Sequence, residues 1–379
     1  MTGINTGLLH NYPVIDKYTG ASSIPKYQTS TFSQTKLNDE SRQFMYTRFG
    51  NPTVKALEEG MAYLFKSKYA LAFSSGMAAI SNVLMLAKTG SHIILPLEVY
   101  GGTCQFVSTI LPRFGITASF VDMSSLADIE AHIQPNTGMI YIETPSNPLL
   151  KVTDIKAVCE LAKKHKLLTV CDNTFMTPLY QRPFELGADV VLESATKFIN
   201  GHSDVVAGVV ATNDQKIYEQ MYLYQKNFGG ILGVEDAWLI LRGMKTLGIR
   251  MEKSVYNAQK IAEFLETKKS VKKVYYPGLK SHVGHAIHMS QAANGGAVLS
   301  FVVDEKYDCD EFVSKVHIPI LAVSLGGVES ILSHPATMSH ACLTPEERAK
   351  EGVTDNLFRL SCGIEDLSDL IDDLDRALK

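Results

Sequence analysis

The sequence predicts an α/β fold with a mostly parallel central sheet, followed by a smaller α+β domain. Short unbroken apolar runs such as YALAF and MIYIE alternate with helical patterns between about residues 55 and 194. Apolar side chains on both faces of a strand are typical of parallel sheets that helices cover on both sides. After about residue 245, a long helical stretch precedes the strand patterns VKKVYYPG and AVLSFVV. A chain of 379 residues is long enough for two such domains.

We predict three segments from these patterns. Residues 1–48 lack periodicity and are rich in polar residues, Tyr and Pro, which predicts an extended arm that orders against a partner surface. Residues 49–245 form the α/β domain, and residues 246–379 form the α+β domain. Hydrophobic periods of 3.6 or 2 residues, with length and flanking residues, predict the elements. The predicted helices are residues 54–65, 76–90, 102–115, 154–166, 250–269, 309–316 and 368–379, and the predicted strands are residues 69–75, 92–97, 118–123, 139–144, 167–172, 188–194, 271–278 and 297–303.

The charge and cysteine patterns exclude several classes of protein. A net charge of −4 provides no basic surface for nucleic acid or an anionic membrane. The six cysteines are scattered without C-x-x-C spacing, which argues against a zinc site or a disulfide framework and favours a reducing compartment. The N-terminus has no signal-peptide pattern, and no apolar run is long enough to span a membrane. We therefore expect a cytoplasmic globular protein without a metal site, whose partner is a small molecule.

Polar side chains follow several of the predicted strands, at the edge where parallel sheets bind ligands. The helix that begins near Gly76, after YALAFSS, exposes backbone N–H groups that suit a phosphate. Asp172 follows LLTVC, and Ser194, Thr196 and Lys197 follow ADVVLE. If that strand continues, Ser194 and Thr196 share one face. The pattern therefore predicts a phosphate site, a lysine amine and a carboxylate in one pocket.

This combination matches the requirements of pyridoxal 5′-phosphate (PLP). The PLP aldehyde bonds to a lysine amine, and its pyridine nitrogen needs an acid partner. An ordinary lysine has a pKa of about 10.4, so we expect desolvation or a nearby cation to lower the pKa of Lys197. The alternatives are that Asp172 only caps a helix and that Lys197 is a solvated surface residue.

Distinctive motifs lie along most of the chain: YTRFGNPT at 46–53, SSGMAAI at 74–80, VYGGT at 99–103, ETPSNP at 143–148, DNTF at 172–175, SATKFINGHSDVVAG at 194–208, VSLGGVES at 323–330 and FRLSCGIED at 358–366. Together they resemble the motifs of the trans-sulfuration (Cys/Met metabolism) family of fold type I PLP-dependent enzymes. The resemblance implies the fold of aspartate aminotransferase and PLP as the cofactor.

The resemblance also implies roles for individual residues. Lys197 bonds covalently to the cofactor and moves the Cα proton of the substrate, while Tyr100 stacks on the cofactor ring and helps to activate the incoming amine. Asp172 pairs with the pyridine nitrogen. The residues implied to bind the cofactor are Tyr46, Arg48, Gly76, Met77, Tyr100, Asp172, Ser194, Thr196 and Lys197, and those implied to bind the substrate are Tyr46, Asn147, Ser324 and Arg359.

Two of these residues imply a shared active site. Tyr46 and Arg48 lie in the predicted arm, and in the family such residues reach the cofactor phosphate of the neighbouring subunit. The resemblance therefore implies an obligatory dimer, and we expect a homotetramer built from two dimers. For Arg359, Tyr100 and the two arm residues, purely structural roles are the alternatives.

The resemblance implies loss of a thiol from Cβ or, after a second proton shift, from Cγ. The stretch AVSLGGVESILSHPATMSHA, with LLHN and TGASSIPKYQTSTF, resembles the Gram-positive branch that performs β-elimination. This branch implies cleavage of L-cystathionine to homocysteine, pyruvate and ammonia, with activity on cysteine and its S-conjugates. The first alternative is γ-elimination to 2-oxobutanoate, as in cystathionine γ-lyases and methionine γ-lyases. The second alternative is the reaction of a cystathionine γ-synthase or an O-acylhomoserine sulfhydrylase.

Two residues depart from the family pattern. Val323 stands where γ-lyases and γ-synthases often carry Glu, so the far end of a γ-substrate loses a polar partner. Glu193 stands where the family has His or Asn, and strand alternation predicts that it points away from Ser194.

Other classes fit less well. S-A-T-K matches the S-x-x-K of penicillin-recognising hydrolases, but K-T-G precedes it here instead of following it. No G-x-G-x-x-G follows a strand, so a nicotinamide enzyme is unsupported. A non-catalytic regulator on the same fold would be expected to lose Lys197, Asp172 or Arg359, and all three are present.

Overall fold

The computed structural model describes residues 3–37, 41–339, 341, 344, 346, 348 and 351–379. Its strands form one sheet of seven strands and another of five. Of the six cysteines noted above, Cys342 lies outside the described residues. No helix within the described part of the chain is long and apolar enough to cross a membrane.

The larger sheet has the strand order β1-β7-β6-β5-β4-β2-β3. Its strands are β1 Tyr69–Phe73, β2 His92–Pro96, β3 Thr117–Val121, β4 Thr137–Glu143, β5 Leu168–Asp172, β6 Val190–Glu193 and β7 Gly208–Thr212. The pairs from β3 through β2, β4 and β5 to β6 are parallel, whereas β7 is antiparallel to both β6 and β1. The prediction of a mostly parallel central sheet is therefore confirmed. The sequence patterns did not predict β7, whose five residues are all buried.

The second sheet lies toward the C-terminus and has the order β10-β11-β12-β9-β8. Its strands are β8 Val271–Tyr275, β9 Val298–Val303, β10 Ile320–Leu321, β11 Ile331–Ser333 and β12 Leu357–Ser361. A separate apolar cluster, which includes Ile261, Phe301, Phe358 and Leu374, packs helices against this sheet. This arrangement agrees with a smaller α+β part of the fold. The boundaries at residues 48 and 245 remain predictions.

Helices cover both sheets, and several of them begin at a residue whose side chain caps the helix. The Asp154 side chain accepts the N–H of Ala157 at 2.9 Å and begins α6. Ser75 accepts the N–H of Ala78 at 3.0 Å and begins α3. Such N-cap bonds satisfy donors that have no acceptor within the helix. The helices are α1 Ile4–His10, α2 Pro52–Phe65, α3 Gly76–Leu84, α4 Gly101–Thr109, α5 Leu126–Ala131, α6 Ile155–His165, α7 Thr177–Tyr180, α8 Gln215–Phe228, α9 Val234–Met244, α10 Leu247–Glu266, α11 His285–Gln291, α12 Cys309–Lys315 and α13 Leu367–Ala377.

Two predicted elements differ from those observed. Residues 4–10 form a helix, whereas we predicted an extended arm throughout residues 1–48. The helix is held because Leu8 is buried in the core that also contains Leu57 and Met251. Helix α3 ends at Leu84, and not at Gly90, because the N–H groups of Leu86 and Ala87 bond three residues back instead of four.

Candidate active site

A cavity of about 860 Å³ opens at the carboxyl end of the larger sheet, between this sheet and the loops before β11 and β12. Strand ends of β4, β5 and β6 supply one wall, and the segment 323–325 with Arg359 of β12 supplies the other. The fold thus collects residues that lie far apart in the sequence. The predicted site residues that line the cavity are Gly76, Met77, Tyr100, Asn147, Asp172, Ser194, Thr196, Lys197, Ser324 and Arg359.

Lys197 lies between the two walls. Its Nζ donates a hydrogen bond to Oγ of Ser324 at 2.6 Å. Burial, together with the positive charge of Arg359, lowers the pKa of Lys197 to about 8. Ser324 has φ +86°, a conformation that L-residues rarely adopt and that is often found where a site demands it. The close approach of this loop depends on Gly326, since a Cβ there would lie 2.6 Å from the backbone nitrogen of Phe198.

Asp172 ends β5 and is buried, with 7% of its surface exposed. One carboxylate oxygen accepts the N–H and the hydroxyl of Thr174 at 3.0 and 2.5 Å, and the other accepts the hydroxyl of Tyr141 at 3.2 Å. Burial raises the pKa of Asp172, and these donors oppose the rise. Hydrogen bonds from Thr174 and Tyr141 therefore fix the orientation of the carboxylate. A cation in the cavity would favour its charged form.

The start of α3 and the segment after β6 face each other closely. A Cβ on Gly76 would lie 3.1 Å from Oγ of Ser194, so any side chain at position 76 would crowd Ser194. The first N–H groups of α3 have no acceptor within the helix and suit an anion. The hydroxyl of Thr196 donates to the carbonyl of Ala207 at 3.1 Å and accepts the Ala207 N–H at 2.9 Å.

The geometric reason that we gave for pairing Ser194 with Thr196 is wrong. Strand β6 ends at Glu193, and the following residues form a turn, so strand alternation does not apply to them. Both residues nevertheless line the cavity, because the turn wraps back toward α3. The carboxylate of Glu193 is buried and accepts Nδ2 of Asn173 at 2.8 Å, and Glu193 is not part of the cavity wall.

Arg359 is buried beside Asn147 and Ser324. Its Nη1 donates to Oδ1 of Asn147 at 2.7 Å, and its Nη2 donates to the Ser324 carbonyl at 2.6 Å and to Oγ of Ser333 at 3.2 Å. Within the described part of the chain, its buried Nε has no hydrogen-bond partner. The guanidinium is thus held in place by neutral groups, and its charge remains available to a carboxylate.

Tyr46 and Arg48 do not join the other predicted residues. Arg48 donates from Nη1 to the carbonyl of Lys226 at 2.7 Å and lies 4.7 Å from the ring centre of Phe49. Tyr46 is 40% exposed. Neither residue lines the cavity of its own chain, which is the arrangement expected if both serve a neighbouring subunit.

Sequence reasoning missed three residues at the site. Glu143 ends β4 and accepts the N–H of Tyr100 at 2.9 Å, and its position at a strand end was a usable signal. Tyr141 lies within an apolar run that gives no sign of its hydrogen bond to Asp172. Ser333 reaches Arg359 only because β11 and β12 pair.

The residues of this cavity fit PLP. The narrow approach of Gly76 to Ser194 at a helix start suits a phosphate, and the buried Asp172 suits a pyridine nitrogen. Lys197 has the lowered pKa that bonding to an aldehyde requires. Arg359 lines the cavity and is held by neutral groups, so its positive charge suits the carboxylate of an amino acid.

Comparisons with known proteins agree with this interpretation. A family model described as Cys/Met metabolism PLP-dependent enzyme matches residues 5–379. The cystathionine beta-lyase MetC of Bacillus subtilis (strain 168) is 51% identical over 376 residues, which cover 99% of this chain and 96% of that protein. The cystathionine gamma-lyase of the same strain is 46% identical over 374 residues, with coverages of 99% and 98%. The crystal structure of cystathionine gamma-lyase from Lactobacillus plantarum complexed with L-serine has a TM-score of 0.97 at 42% identity, and the match covers 99% of this chain and 98% of that chain.

The large sheet, with the half-buried lysine and the buried aspartate at its edge, defines a fold type I PLP-dependent enzyme. The chain belongs to the Cys/Met metabolism PLP-dependent enzyme family, because the family model spans nearly all of it. PLP is its cofactor. The resemblance stated from the sequence motifs is therefore confirmed.

Proposed function

We propose that the protein is a carbon–sulfur lyase that converts L-cystathionine and water to homocysteine, pyruvate and ammonia. The observation that carries the proposal is the cavity in which Lys197, with its lowered pKa, lies beside the available charge of Arg359. The similarity to cystathionine beta-lyases from Bacillus subtilis and Lactococcus lactis, at 51% and 49% identity, supports this choice of substrate.

The proposed reaction divides the work among a few residues. When bound, PLP supplies an electron sink for the charge that remains at Cα after its proton is removed. Arg359 holds the substrate α-carboxylate through charge-assisted hydrogen bonds, and Asn147 keeps the guanidinium in position. The neutral amine of Lys197 takes the Cα proton as a general base, and Ser324 holds Nζ on the side of Arg359. The Cβ–S bond would then break, the sulfur would take up the proton that Lys197 holds and leave as the thiol of homocysteine, and water would convert the remaining three-carbon enamine to pyruvate and ammonia.

The remaining predicted residues place the cofactor in this proposal. The N–H groups of Gly76 and Met77, with Ser194 and Thr196, bind its phosphate, and Asp172 pairs with its ring nitrogen. Tyr100 is 44% exposed at the cavity wall, where its ring is free to stack on the cofactor.

A γ-lyase is the second candidate, and Val323 is the residue that favours a β-lyase over a γ-lyase. Its side chain lies in the cavity wall, and the residue is 64% exposed. An apolar residue at this point offers no hydrogen bond to the polar far end of a substrate that reacts at Cγ. The 46% identity to a cystathionine gamma-lyase keeps this alternative open, together with γ-synthase and sulfhydrylase chemistry.

The keto acid product is the first test. We expect the purified protein to release pyruvate from L-cystathionine, with 2-oxobutanoate as a minor product, because Val323 gives no support to γ-elimination. Chromatographic identification of both keto acids and of the thiol measures this directly. Val323→Glu is the matched variant and should raise the share of 2-oxobutanoate. A wild-type enzyme that makes mainly 2-oxobutanoate and cysteine would instead establish the second candidate.

We also propose that two chains share each active site and that two such dimers form a homotetramer. Tyr46 and Arg48 lie outside the cavity of their own chain, in an arm with the exposed apolar residues Met45 and Phe49. A second copy that covers this arm would bury its apolar surface and bring Arg48 to a phosphate. Phe228, at the end of α8, is 63% exposed and is a further apolar side chain that a second copy could cover.

Mixed dimers test the shared site. Arg48→Ala and Lys197→Ala should each be nearly inactive alone. After the two are unfolded and refolded together, half of the dimers contain one chain of each kind and thus one intact site, so roughly a quarter of wild-type activity should return. Lys197→Ala mixed with Asp172→Ala is the control and should stay inactive, because both residues belong to one chain's cavity. No recovery in the first mixture would show that each chain's site is self-contained.

The cytoplasm is the compartment that we propose. Cys159, Cys171 and Cys362 are buried free thiols, which is the usual state of cysteine where thiols are kept reduced.

A further inference from the structure

Glu143 occupies a central position at the edge of the larger sheet. It is the last residue of β4 and lies in register with Asp172, the last residue of β5. Only 7% of its surface is exposed, and it lines the cavity. The roles assigned above leave this carboxyl group without a function.

Its carboxylate connects two loops of the active site. Oε2 accepts the backbone N–H of Tyr100 at 2.9 Å, and the backbone N–H of Asn147 also donates to this carboxylate. Tyr100 directly precedes α4 and makes no side-chain cap of its own. A carboxylate at this end of a helix is favourable because the first N–H groups carry partial positive charge.

The connection extends to the substrate side of the cavity. Asn147 accepts Nη1 of Arg359 at 2.7 Å, so one path of hydrogen bonds runs from Tyr100 through Glu143 and Asn147 to Arg359. Tyr100 lies on the α4 side of the cavity and Arg359 on the β12 side. Movement of Glu143 would therefore change the positions of both together.

The surroundings of Glu143 disfavour the negative charge of its side chain. Burial and the neighbouring Asp172 raise the pKa of Glu143 to about 8, while the two N–H donors lower it. Glu98, which forms an ion pair with Lys151, adds a further acidic group nearby. A buried glutamate whose charged form is disfavoured, and which lines a cavity, is a candidate for a functional role.

We propose that Glu143 is a positioning residue that holds Tyr100 and the Asn147–Arg359 pair in their relative places. This inference rests on the proposed function, because it assigns Tyr100 to the cofactor and Arg359 to the substrate. Glu143 itself touches neither reacting atom in this proposal. Its effect on the reaction passes through the two loops that it joins.

Glu143→Gln tests the inference while preserving the shape of the side chain. The amide has one acceptor oxygen where the carboxylate has two, and its NH₂ group only donates, so it holds the two backbone N–H groups less well. We expect kcat/KM for L-cystathionine to fall about 10- to 100-fold, the range expected when a buried N–H group loses its acceptor. The visible circular dichroism of bound PLP should also change, and the Kd for glycine, which has no leaving group, should rise. If this variant does not fold, Glu143→Asp should show the same changes to a smaller degree.

Glu58→Gln is the matched control. Burial raises the pKa of Glu58 to about 7, and its Oε1 accepts the N–H of Ala72 at 3.0 Å, but it does not line the cavity. We expect this variant to change the melting temperature and to leave the kinetic constants and the dichroism of bound PLP unaltered. A Glu143→Gln enzyme with wild-type dichroism, glycine affinity and kcat/KM per bound cofactor would overturn the inference. Failure of the proposed function would be recognised separately, as wild-type protein that binds PLP and glycine but does not cleave L-cystathionine.

Discussion

Lys197→Ala is expected to lower the turnover of L-cystathionine by at least ~1,000-fold, because one change removes both the amine that bonds to the cofactor and the general base. Pyruvate release under substrate saturation measures the loss, and borohydride treatment followed by peptide mapping shows whether position 197 carries the cofactor. Lys66→Ala is a suitable control, since Lys66 forms an exposed ion pair with Glu185. Turnover within tenfold of wild type in Lys197→Ala would remove the residue from the mechanism.

The lowered pKa of Lys197 adds a pH dependence to this prediction. With a pKa of about 8, half of the amine is neutral near pH 8, whereas an ordinary lysine with a pKa near 10.4 would be about 0.4% neutral there. Only the neutral amine attacks an aldehyde. The rate at which cofactor-free protein takes up PLP should therefore rise with pH through about 8 and level off above it, as measured by stopped-flow absorbance. A rate that keeps rising toward pH 10 would show that the amine is not perturbed.

Arg359→Lys has the second largest expected effect. Lysine keeps the positive charge but lacks the planar fork that bonds Asn147, Ser324 and Ser333 and that can hold a carboxylate with two hydrogen bonds. Charge-assisted hydrogen bonds contribute about 1.5–3 kcal/mol, so kcat/KM for L-cystathionine should fall about 10- to 150-fold, mainly through a higher KM.

A substrate without the α-carboxylate provides the control for Arg359. The decarboxylated analogue of L-cystathionine should react poorly with the wild-type enzyme, and Arg359→Lys should lower its kcat/KM little further, since the group that Arg359 binds is already absent. Equal losses with both substrates would mean that Arg359 supports the fold of β12 instead of binding the carboxylate.

Several features of the site could be predicted because strand ends in a parallel sheet meet at one edge. Asp172 and Lys197 each follow an apolar run, and Gly76 lies where a run gives way to a helix, so their convergence followed from periodicity alone. The family motifs added Arg359, Asn147 and Ser324, which no local pattern connects to that edge.

The failures of sequence reasoning also have physical causes. Strand β7 is buried along its whole length. Periodicity alone does not distinguish a short buried strand from a segment of buried helix, so the pattern gave no prediction there. Helix α8 is absent from the predicted helices, because it buries only Met221 and Gln225 and its apolar stripe is therefore faint. The arm was predicted to be extended, but Leu8 finds a place in the core and residues 4–10 become helical.

The sequence by itself determined the α/β class and the cofactor and predicted which lysine and aspartate hold that cofactor, because these depend on residue type and on spacing along single strands. Only the tertiary structure decided how Lys197 is perturbed, since its pKa depends on burial and on Arg359, which lies far away in the chain. It also decided that Glu143 joins Tyr100 to Asn147 and that Tyr46 and Arg48 lie outside their own cavity. Contacts between distant segments are set by how the strands and loops pack, and a one-dimensional pattern does not contain that information.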